Sequence, residues 1–249
     1  MKVEKLLLKK AKEKFKTIVY PEADFSPRII EATKIIAKKK IAKVILIGDE
    51  SSLVLKYGKL DNMQILNPKT SDLAEELSSA FYELRKNKGI TKEEAREILY
   101  DPFYFATMLV HLGYADGMVG GAEVSTAKNL KPALQIIKGK TGLVSSCFMF
   151  YGKNKFMKNK PFFLADAGLV EDPTSEGLAE IAGQTVNSAK SFIGLEPRLA
   201  FLSYSTKGSA KGESIDKVRR AYELFKQNNP NIIADGEVQL DCALVPEVS

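Results

Sequence analysis

Between Asp116 and Ile137 the chain reads DGMVGGAEVSTAKNLKPALQII, a run that places small residues, hydroxyls and a cation within one short span. Gly117, Gly120 and Gly121 permit backbone shapes, and a closeness of approach, that a β-carbon forbids. Ser125 and Thr126 then stand as helix N-caps before Leu130, Ala133, Leu134 and Ile137, which recur at helical spacing, and Pro132 fits only near the first turn. The first N–H groups of a helix lack partners within it and carry the positive end of its dipole. With two hydroxyls and Lys131 beside them they suit a phosphate or carboxylate. A glycine turn leading into an ordinary capped helix is the plainer reading, and spacing does not separate the two.

A second such stretch is SYSTKGSAKGES, Ser203 to Ser214, after an apolar run and before an amphipathic one. Ligands of open α/β sheets bind beyond the carboxyl ends of strands, which puts Ser205, Thr206, Lys207, Gly208 and Ser209 in a place to meet an anion. The stretch departs from the phosphate loop of nucleotide hydrolases, because Gly208 and Gly212 lie too close together and no Gly-Lys-Ser/Thr follows. A solvated loop is the alternative. Arg85 ends a helical pattern, where it either grips phosphate through its planar fork or complements the helix dipole. Asp166, followed by Glu171 and Asp172, closes an apolar run and reads as an acid–base group or as turn chemistry. His111 is the single histidine, lies on an apolar helix and has no nucleophile motif nearby, which argues against a histidine-based hydrolase.

The elements that must hold these residues alternate. Strands at Thr17 to Tyr20, Lys43 to Ile47 and Met63 to Leu66 are separated by helical segments, one opening at Ser26-Pro27 and one at Thr91 with Glu94 completing a capping box. Such alternation implies βαβ units and a parallel sheet covered on both faces. After Gly142 the texture changes. LVSSCFMFYG and PFFLADAG read as a hairpin-like pair about the lysine-rich KNKFMKNK, a helix runs from Thr174 or Ser175 to about Phe192, RLAFLS is a strand, a helix covers Ser214 to Gln227, and a last strand region follows. Two domains are expected, 1–142 and 143–249, and the chain is read as stopping just after a strand, with no closing helix.

Composition narrows the function classes. Hydrophobic residues at 45% with 27% charged residues suit a globular protein, and no apolar run reaches the roughly 18 residues of a membrane span. The net charge of +6 arises from 37 basic residues interleaved with 31 acidic ones, a solvated surface rather than a nucleic-acid patch. An anionic small substrate gains from the same field. Cys147 and Cys242 lie in apolar surroundings without clustered ligands, as expected of reduced thiols in a cytoplasmic protein with no metal centre.

Taken together, DGMVGGAEVSTAKNLKPALQIIK, ELRKNKGIT, FFLADAGLVEDPTSEGLAEIA, FLSYSTKGSA and DGEVQLDCALVPEV resemble the phosphate acetyl/butyryl transferase family over almost the whole chain and in the family's order. The resemblance implies an isocitrate-dehydrogenase-like α/β fold, two domains with mainly parallel sheets around a cleft, and a homodimer. It implies interconversion of acetyl phosphate plus coenzyme A with acetyl-CoA plus phosphate by direct attack in a ternary complex, with coenzyme A a substrate and no cofactor. The family's coenzyme A arginine in the ELRK motif falls on Arg85. Its second arginine is Lys131 here, and its paired hydroxyls are Ser125 and Thr126. Beyond the PEV segment the family continues with a Ser-Arg pair and an Asp assigned to transition-state binding and thiol deprotonation. None of the three occurs in these 249 residues, so a site short of these groups is expected, with Asp166 the internal candidate base. The competing readings are a coenzyme A/phosphate-binding or dimerisation module without turnover, a butyryl-specific transferase, and, on fold analogy alone, a nicotinamide-dependent dehydrogenase.

Overall fold

A computed structural model of the chain describes residues 3–137, 142–152, 160–194, 196–245 and 247–248. The chain divides into two compact units, Leu8–Lys140 and Met1–Leu7 with Thr141–Ser249. Helix α1 (Val3–Lys14) contributes to both.

The first unit is built on β1 (Thr17–Tyr20), β2 (Lys43–Ile47), β3 (Met63–Leu66) and β4 (Gly117–Met118), in the order β3-β2-β1-β4 and parallel throughout. Five helices join these strands: α2 (Pro27–Lys38), α3 (Glu50–Tyr57), α4 (Ala74–Arg85), α5 (Lys92–Ile98) and α6 (Pro102–His111). Helix α7 (Thr126–Ile136) follows β4. Side chains alternate across a strand, so Val19, Ile45 and Ile47 meet Leu77, Phe81 and Met108 on one face. Tyr20, Val44 and Leu46 meet Ile29, Ile30 and Leu53 on the other. Burial on both faces explains why β1 and β2 are continuous apolar runs.

Local sequence sets the helix starts. Ser26 accepts from the Ile29 amide at 3.4 Å with Pro27 at the first helical position, and Thr91 and Glu94 form the reciprocal capping box. Ser125 caps α7 by accepting from the Lys128 amide at 3.3 Å. One expectation for α7 is corrected: Pro132 lies inside the helix rather than in its first turn. The buried residues of the helix are Pro132 and Ile136, whereas Leu134 and Ile137 are exposed. Proline removes the donor for the Lys128 carbonyl but packs its ring into the core, and an (i, i+4) pair is what such a face requires.

The second unit holds an antiparallel pair, β5 (Phe148–Phe150) with β6 (Phe162–Leu164), and a parallel pair, β7 (Leu199–Leu202) with β8 (Ala234–Val238). Helix α8 (Ser175–Ile193), capped by Thr174, and α9 (Glu213–Asn228) pack on β7 through Ala182, Val186, Phe201, Ala221 and Phe225. The turn expected at KNKFMKNK lies almost wholly outside the described residues. The last strand is followed by a short helix, α10 (Leu240–Leu244), which corrects the expectation of an ending without one. Its start is fixed by the Thr206 hydroxyl, which accepts from the Gln239 amide at 3.0 Å.

Candidate functional site

In the first unit the strand order reverses between β1 and β4, the place where open parallel sheets leave a crevice beyond their carboxyl ends. Pro21 and Glu22 continue β1 into that position, and Val119 to Glu123 continue β4. Gly120 has no room for a side chain, since a β-carbon there would lie 2.8 Å from Asn129 Oδ1 and 3.2 Å from Phe103 and Pro21. Gly121 has φ of +96°, which disfavours any residue with a β-carbon.

Sequence reasoning missed Glu22. Its carboxylate is wholly buried and accepts three consecutive loop amides, Gly121 at 2.7 Å, Ala122 at 2.8 Å and Glu123 at 2.8 Å. The concave backbone that would cradle a phosphate therefore already holds an anion. Arg28 donates to Glu123 Oε1 at 2.9 Å and to the Ala122 carbonyl, and Asn129 donates to the Gly120 carbonyl at 3.3 Å, so the loop is fastened to both α2 and α7. The available signal was an acidic residue directly behind a buried strand and a proline.

Of the candidate residues here, Ser125, Thr126 and Lys131 are exposed on the first two turns of α7. Arg85 is half-buried at the end of α4. Burial raises the Tyr104 phenol, Asp101 raises it further, and the positive charge of Arg85 opposes both. The same phenol donates to Gln135 of α7 at 2.9 Å, so Arg85, Tyr104 and α7 share one neighbourhood. A groove of about 540 Å³ opens elsewhere in this unit, beyond β2 and β3. Asp49, Glu50 and Asp72 line it, so its charge opposes an anionic substrate.

The loop 203–212 of the second unit is likewise organised by a carboxylate that sequence reasoning missed. Glu237, 2% exposed on β8, accepts the Gly208 amide at 2.7 Å, the Ser205 hydroxyl at 3.1 Å and Arg219 Nε at 3.2 Å. Burial would raise its pKa, but these donors outweigh it and hold the group at about 2. The remaining expected anion donors are engaged within the unit. The Thr206 amide donates to Ser209 Oγ at 3.0 Å, Lys207 pairs with Asp235, and Ser205 accepts from the Ala210 amide at 3.1 Å. The geometry thus turns this loop inward, because a buried carboxylate is satisfied best by the nearest amides and hydroxyls.

Asp166, the internal candidate base, is enclosed by donors. It accepts from Ser146 N at 2.7 Å, Ser146 Oγ at 2.8 Å, Gly168 N at 2.8 Å and Leu169 N at 2.7 Å. Burial works to raise its pKa, but these four donors hold it at about 2. Two of these donors belong to its own turn and two to Ser146, and a carboxylate so solvated holds a proton weakly at neutral pH. His111 is exposed at the end of α6. Among the described residues no group of three or more His, Cys, Asp or Glu is arranged to hold a metal, and no helix is long and apolar enough to cross a membrane.

Comparison with known proteins gives this geometry its context. The profile of the family described as Phosphate acetyl/butaryl transferase matches residues 2–249. A phosphate acetyltransferase of Thermoanaerobacterium thermosaccharolyticum is 44% identical over all of this chain and 77% of its own length. One of Acetivibrio thermocellus is 45% identical over 98% of this chain and 74% of its own. Among solved structures, a phosphotransacetylase from Streptococcus pyogenes superposes with a TM-score of 0.90 at 39% identity, covering 99% of this chain and 76% of that one. The chain, with its α/β architecture and its glycine loop leading into α7, belongs to the phosphate acetyl/butyryl transferase family of enzymes.

Proposed function

We propose that the protein interconverts acetyl phosphate plus coenzyme A with acetyl-CoA plus inorganic phosphate by direct attack of the coenzyme A thiolate. The sulfur adds to the carbonyl carbon, the C–S bond forms, and the bond from that carbon to the phosphate oxygen breaks. The thiol proton passes to solvent or to the departing phosphate. The observation that carries this reading is the match to phosphate acetyltransferases over the whole chain, with Ser125, Thr126 and Lys131 exposed at the start of α7 beside the sheet's switch point. There the helix start and the Lys131 ammonium favour the doubly negative phosphoryl group, and Arg85 offers a fork for a phosphate of coenzyme A. A thiol of pKa near ~8.5 is mostly protonated at neutral pH, so positive charge next to the sulfur raises the reactive fraction.

Incubation of the protein with acetyl phosphate and coenzyme A, with thioester and phosphate quantified together, tests the reading. Stoichiometric formation of both above the uncatalysed rate supports it, and neither product at any substrate concentration sinks it. A second reading, a coenzyme A and phosphate-binding module without turnover, is favoured by the inward-turned loop 203–212 and by the low pKa of Asp166. Calorimetric binding of coenzyme A without product formation selects it. We further propose that the protein acts as a homodimer in the cytoplasm, and light scattering at micromolar concentration tests the dimer.

A further inference from the structure

We infer that Glu22 is a positioning residue of this reaction: its buried carboxylate sets the glycine loop and with it the start of α7, so that the substrate's anionic group is met by Ser125, Thr126 and Lys131 rather than by the loop amides. The inference rests on the proposed function. Three observations carry it. First, a buried charge must be compensated, and among the described residues no Lys or Arg forms a salt bridge with Glu22, so the amides of Gly121, Ala122 and Glu123 supply the compensation. Second, the backbone is shaped for this contact, with Gly121 at a positive φ and Gly120 at a place where a β-carbon would crowd Asn129, Phe103 and Pro21. Third, the contact is transmitted. Asn129, which holds the Gly120 carbonyl, lies on α7 between Ser125 and Lys131, so displacement of the loop moves the residues proposed to meet the anion.

A purely structural role for Glu22 predicts lost stability alone, whereas positioning predicts that the surviving folded protein binds its anion poorly. The probe is inorganic phosphate, titrated calorimetrically into the full chain and used as an inhibitor of thioester formation. Glu22→Gln keeps the size but sets an NH2 group against amide donors, and Gly121→Ala disturbs the same contact from the loop side. We expect both to weaken phosphate binding at least tenfold and to raise KM for acetyl phosphate more than they lower kcat. Thr91→Ala, which removes the cap of α5, lowers stability without changing the phosphate Kd. If Glu22→Gln melts earlier but binds phosphate within twofold of the parent, the inference is overturned. Should Glu22→Gln yield no folded protein, Gly121→Ala decides alone, and an unchanged Kd overturns the inference. Parent protein that turns over substrate while the variants bind normally sinks this inference alone. Parent protein that neither binds phosphate nor forms thioester sinks the proposed function, and this inference with it.

Discussion

Glu237 stays ionised at 2% exposure because amide, hydroxyl and guanidinium donors replace the water it has lost. Its folded pKa of about 2 lies below the ordinary 4.5. A carboxylate depressed in the folded state stabilises fully above its unfolded pKa, and the contribution fades as pH falls through the folded one. A gap of that size corresponds to about 3 kcal/mol. Glu237→Gln is therefore expected to lower the unfolding free energy by about that amount at pH 7 and to flatten its decline between pH 4.5 and 2, measured by urea titrations across that range. Asp166 has the same kind of environment, accepting from Ser146 and from its own turn. Asp166→Asn should leave kcat within about threefold of the parent while lowering stability, since general-base catalysis contributes roughly 10²–10⁴-fold. A thousandfold loss of kcat in a folded Asp166→Asn protein would assign it the role of base. On the proposed function, Lys131→Ala, which removes an ammonium exposed on α7, is expected to cost a charged hydrogen bond of about 1.5–3 kcal/mol and to raise KM for acetyl phosphate about 10- to 150-fold in steady-state assays.

Two capped helices separate stability from function. Thr91 and Ser125 both accept from the amide three residues on, at 3.1 and 3.3 Å. Either hydroxyl is worth about 1 kcal/mol to its helix. Thr91→Ala and Ser125→Ala should lower stability by similar amounts in chemical denaturation, but Ser125→Ala alone should raise KM for acetyl phosphate, because α7, unlike α5, starts at the switch point. Equal KM values would separate the cap of α7 from the substrate. These elements were legible because their signals are local: Ser26-Pro27, Thr91 with Glu94, and apolar runs buried on both faces of one sheet. The glycine loops were legible as loops, and their internal anions were not. Glu22 lies 99 residues before the Gly121 amide, and Glu237 lies 29 residues after the Gly208 amide that it holds, so no spacing rule connects them. The place of Pro132 in α7 is hidden for a related reason, since proline suits a first turn by local rules yet serves here as a core residue inside the helix.

At the scale of the whole chain the depressed carboxylates are unevenly shared. The unit containing Thr141–Ser249 holds Glu237 and Asp166, both at about 2 and both inside donor cages. In the unit Leu8–Lys140, Asp49 and Asp116 are also lowered, by a helix cap and by a lysine, but as solvent-facing groups whose pairing contributes little to stability. Asp24 of that unit moves the other way, raised chiefly by burial, so its contribution favours the fold as the solution becomes more acid. Acidification from pH 5 to 2 is therefore expected to withdraw more stability from the second unit than from the first. Hydrogen exchange read by mass spectrometry, corrected for intrinsic rates, should show peptides from 199–238 losing protection at a higher pH than peptides from 17–66. In Glu237→Gln the same peptides should open already at neutral pH, with little further change on acidification. Simultaneous opening of both sets at one pH would mean that the Glu237 and Asp166 cages do not limit the acid stability of their unit.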